Sequence, residues 1–249
     1  MYTVIVCARR RARVRYSRPM PLSLQRIQQG AMSTWVIADP DEKLVWRASL
    51  PGASCFDRAA HSLRSLQAEG ALAVDLLPLA LPASWMVNAK ATSRAMQRWL
   101  SPEALQTWET LLDVIAFTTS PDEWLAFPSA RRDAASDAME ALATGEEGAS
   151  LVAASKVLAL LRPQMVPLMD DAALFFALEC VPEPKTAEVV TGPASAFLPM
   201  LDWFATQVVA QEKALVAMAT RHERAILDSA QVLDRLLWVE SWGNRLRKR

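Results

Sequence analysis

The chain is poor in the residue that lets a backbone turn back on itself, with 7 glycines among 249 residues. Glycine enters positive φ without a steric penalty, so its scarcity removes most tight two-residue hairpins, Gly-rich phosphate loops and dinucleotide fingerprints. Histidine is rarer still. His61 and His222 are the two present, which excludes a multi-histidine metal site within one chain. His61 stands four residues after Asp57 on a helical stretch, and the pair reads as an exposed charge pair rather than a metal site. Cys7, Cys55 and Cys180 are odd in number, far apart and in no zinc spacing, and they are expected to be buried reduced thiols. Long apolar runs are missing too. Leu76 to Leu81 and Ala172 to Leu178 fall far short of the ~20 residues that span a bilayer. No Gly-x-Ser-x-Gly elbow is present. These absences describe a soluble cytoplasmic protein with no membrane span, no cofactor, no metal and no catalytic motif.

What is abundant is alanine, leucine and charge. Hydrophobic residues make up 52% of the chain, enough for a sizeable core, and the alanine and leucine content favours helix. The formal net charge of zero conceals an asymmetry. Residues 1–31 contain Arg9, Arg10, Arg11, Arg13, Arg15, Arg18 and Arg26 and no acid, which leaves 20 basic against 27 acidic residues in the remainder. Both tyrosines also fall in this leader, whereas all nine tryptophans come after it. Residues 1–31 are therefore read as a basic leader, disordered or upstream of the true start.

Beyond Met32, Trp35 to Ala38 and Lys43 to Leu50 are β-prone runs around Asp39-Pro40-Asp41-Glu42, which predicts a small N-terminal β-hairpin. Phe56 to Glu69 has helical spacing and stops at Gly70, and Leu76 to Pro82 is a proline-broken connector, or a short buried strand. Ser101-Pro102-Glu103 and Ser120-Pro121-Asp122-Glu123 each place a capping hydroxyl before an N1 proline, the second as a capping box. Leu105, Trp108, Leu111, Leu112 and Ile115 form an apolar stripe behind the first of these. A helix from Pro128-Ser129 ends at Gly145-Glu146-Glu147-Gly148, and Ser150 caps the next, which runs to Leu161. Asp170 can cap another through Glu179.

Met200 to Trp242 lacks Gly and Pro altogether. The phase of its apolar stripe slips at Arg221-His222-Glu223-Arg224, which predicts an antiparallel helical pair rather than one long helix. The expected architecture is mainly α, a multi-helix globular domain over 32–190 with the hairpin at its start. The C-terminal pair, 191–249, packs on it beyond a linker at Pro182 to Pro193.

Ser155-Lys156, Leu158, Arg162-Pro163, Val166-Pro167 and Asp170 form the one compact motif. In this order they resemble the signature of an uncharacterised bacterial family, a domain of unknown function, over about 25 residues. There the piece looks like the second helix and exit of a helix-hairpin-helix element. More remotely it is similar to the helix-hairpin-helix DNA glycosylases. That resemblance implies DNA contact through Lys156 and Arg162 and places Asp170 where the catalytic aspartate stands. The chain departs from the glycosylases at the turn, where Glu146 and Glu147 would repel a phosphate, and it has no cysteine cluster for iron and sulfur. A plainer role for Arg162 is a pair with Asp170 or Asp171.

Two functions follow. One is a non-catalytic protein-interaction module that meets a protein partner, or itself, through the C-terminal helices, with Trp242 as a contact. The other is a helix-hairpin-helix-like nucleic-acid binder that uses Lys156 and Arg162, with Asp170 catalytic or orienting. The acidic body favours the first.

Overall fold

The structure is a computed structural model that describes residues 24–29, 32–37, 50–87, 89, 91–169, 196–221 and 228–237. The chain is mainly α. The backbone of β1 (Leu24–Gln29) pairs antiparallel with β2 (Met32–Ile37), Leu24 opposite Ile37 and Gln29 opposite Met32. Of the return strand expected over Lys43 to Leu50, residues 43–49 lie outside the described residues and Leu50 begins a helix.

Helix α1 (Leu50–Ala68) begins before the expected Phe56 and buries Phe56, Ala60 and Leu63. Its end is set by Gly70, at φ 103°. There the Gly70 N–H donates to Gln67 O and the Ala71 N–H to Leu66 O, both at 3.0 Å, so two terminal carbonyls are satisfied within the chain. A 3-10 turn, Val74–Leu76, leads into α2 (Leu77–Ser84). This corrects the connector or strand expected over Leu76 to Pro82. Pro78 lies in the first turn, where a helix has no use for the N–H. The bond forfeited at Pro82 is offset by burial of Leu77, Ala80 and Leu81.

Hydroxyl side chains write the next starts. Thr92 caps α3 (Ser93–Trp99), a helix the sequence reading omitted, by accepting from the Ala95 N–H at 3.2 Å. Ser101 caps α4 (Pro102–Val114), and Ser120 caps α5 (Pro121–Ala126) in a full capping box with Glu123. Trp108, Leu111 and Leu112 of α4 are buried as its stripe predicts. Helix α6 (Ser129–Leu142) returns along α4. At one end Arg131 donates to Val114 O at 3.3 Å, and at the other Trp99, just ahead of α4, donates to Leu142 O at 2.8 Å. Trp99 also meets Trp108 edge to face with centroids 6.2 Å apart.

After the glycine turn, Ser150 caps α7 (Leu151–Leu161), which crosses the middle of the molecule against α1, α2 and α6. All of α7 except Val152 is buried. Helix α8 (Phe197–Arg221) lies on α5 and α6, and a last helix, α9, occupies 229–237. Of the turn expected at Arg221 to Arg224, Arg221 is the last residue of α8 and residues 222–224 lie outside the described residues. Buried side chains from Phe56 to Leu237 form a single core. Cys55 is exposed, which corrects the expectation of a buried thiol, because it sits on the α1 face opposite Phe56 and Ala60. Cys7 and Cys180 lie outside the described residues. No helix among the described residues is long and apolar enough to cross a membrane.

Candidate functional site

The Ser155 to Val166 motif spans α7 and its exit, and its polar members point inward. Ser155 is fully buried and donates to Val152 O at 3.1 Å, one turn back on its own helix. Lys156 is 3% exposed and engaged within the protein. Arg162, also 3% exposed, follows the last residue of α7 and works on carbonyls. Its Nε donates to Ile115 O, and its Nη2 to Leu112 O at 3.1 Å, both at the end of α4. Its Nη1 reaches Leu161 O at 2.8 Å and Gln67 Oε1 at 2.5 Å. Gln67 in turn donates to Leu63 O and Leu161 O, at 3.3 and 3.4 Å, so the C-terminal ends of α1, α4 and α7 converge on one buried cation.

The chemistry suits that place. Helix C-termini carry unpaired carbonyls and the negative end of the dipole, and a guanidinium supplies five fixed donors. Burial lowers the Arg162 guanidinium from its ordinary value to about 10, with Asp113 opposing the shift, so it remains a cation at neutral pH. The pairing expected with Asp170 or Asp171 concerns residues outside the described ones.

A second buried polar group lies beyond the α7 exit. Asp234 of α9 accepts from the Leu168 N–H at 2.8 Å and from Arg235 at 3.1 Å. Arg235 also pairs with Asp57 of α1, and all three side chains are buried. Asp57 is thus tied to Arg235, which corrects its expected partnership with the exposed His61. At the margin of this group Arg64 pairs with Asp228 and stacks near Phe117, 5.9 Å from the ring centroid. No sequence signal marked Arg235. It lies on a buried helix 178 residues from Asp57, and an ion pair across that separation leaves no local pattern.

The glycine turn between α6 and α7 has the geometry of a short helical hairpin. Gly145 and Gly148 take φ 79° and 90°, and the Gly145 N–H donates to Ala149 O at 2.9 Å. Arg98 of α3 stands beside it and bonds Thr144 at 3.1 Å and Glu146 at 2.9 Å. Lys156 and Arg162 do not reach this surface. Asp170 and Trp242, the catalytic and partner-contact candidates, lie outside the described residues.

Large exposed apolar side chains lie elsewhere. Leu72, Leu79, Trp85 and Met86 are 48 to 66% exposed, with Leu66 nearby in sequence. Two more, Val209 and Val216, face water on α8. The sequence reading takes Leu76 to Pro82 as a proline-broken connector or short buried strand and singles out no exposed apolar side chain there.

No curated protein and no solved structure matches the chain. A family model, described as a family of unknown function (DUF6308), matches residues 51–241. The chain belongs to that family of unknown function.

Proposed function

We propose that this protein is a protein-interaction module. The observation that carries the reading is the exposure of Leu72, Leu79, Trp85 and Met86 within a short stretch around α2. Single exposed leucines are ordinary, whereas several large apolar side chains in one region are the usual mark of a surface that something else covers. The C-terminal helices add exposed valines on α8, and Trp242 is proposed as a further contact at that end. The test compares the full chain with a Leu72→Ser/Leu79→Ser/Met86→Ser variant, both immobilised and offered cell extract. Trp85 is left in place because its Nε1 bonds Ala91 O at 3.2 Å and helps hold the backbone. The expected result is a partner retained by the parent and lost by a variant that melts at the same temperature. Identical retention by both proteins sinks the reading.

A second reading, a helix-hairpin-helix-like nucleic-acid binder, is favoured by the α6–α7 turn with its two positive-φ glycines. Because Lys156 and Arg162 are buried, the backbone of the turn and Arg98 would have to meet the phosphates. Glu146 opposes this, being the acidic partner Arg98 already has. Fluorescence anisotropy with short single- and double-stranded DNA at low salt decides it. Binding lost on Arg98→Ala supports the reading and calls for a base-excision assay of Asp170→Asn, while no binding at low salt removes it.

A further inference from the structure

We draw no further inference here: the strongest candidate, the outer face of α2, where the exposed residues of 77–86 are Pro78, Leu79, Pro82, Trp85 and Met86 without a polar side chain among them, belongs to the surface already described, and nothing in the structure shows what covers it.

Discussion

Arg162 shows at the scale of one residue how burial changes what a side chain is for. A cation at a helix exit beside two prolines reads in sequence as a ligand contact, yet its donors are spent on Leu112, Ile115 and Leu161 carbonyls and on Gln67. Replacing it with methionine would strand those carbonyls in the core, at a cost of about 3 kcal/mol or more in a denaturant titration. Lysine at this position is expected to recover little, because an ammonium cannot match the fork. The pH dependence has a definite sign. With the folded pKa lowered to about 10 and the unfolded value above it, the unfolded chain holds more protons between them. The stability of the parent relative to Arg162→Met is therefore flat through neutral pH and rises above pH 10. A parent advantage that shrinks there would contradict the assignment. Arg235→Met should also cost about 3 kcal/mol, since it removes the arginine that pairs with both buried carboxylates, Asp57 and Asp234.

At the scale of the element, caps and glycines govern where helices begin and end. Ser101, Ser120 and Ser150 all accept from the N3 amide; the first two were legible because hydroxyl, proline and acid stand in a fixed local order, and Ser150 because its hydroxyl stands directly before an apolar run. Ser120→Ala breaks the capping box of a six-residue helix and is expected to cost about 1 kcal/mol, or roughly 2–4 °C in Tm. Gly70→Ala should cost about as much for a different reason. Nothing lies within 4 Å of an added Cβ there, so the penalty is the φ of 103° alone. Gly70→Asn, which tolerates that region, should therefore recover part of the loss, and an Asn variant no better than Ala would point to a steric cause instead. Helices without such punctuation were harder to read. Helix α2 carries two prolines, and α3 starts at a lone threonine inside a stretch with no clear period.

Across the whole molecule the arrangement is a buried axial helix, α7, with others laid around it. Since all but one residue of α7 is buried, its amides are expected to exchange with solvent only when the entire fold opens. Residues 209–220 of α8, exposed along one side, should exchange faster. Hydrogen-exchange mass spectrometry resolves the two segments, and α7 amides exchanging as fast as those of α8 would refute the picture of α7 as the axis. The distribution of charge belongs to this scale as well. Beyond the leader the chain carries more acid than base, and at the α6–α7 turn the cation Arg98 is already matched by Glu146.

The sequence by itself determined the mainly helical class, most helix starts and the apolar faces, because caps and periodicity act between residues a few positions apart. It also carried enough family resemblance to point to a group of unknown function. Only the tertiary structure decided which polar residues of the Ser155 to Val166 motif face water, and the answer was none that a ligand could meet first. The reason is that Arg162 is defined by carbonyls about fifty residues earlier and by Gln67 about a hundred earlier, and Asp57 by an arginine near the other end of the chain. Contacts at that separation exist only once the helices have packed, and they alone separate a buried fastener from a binding group.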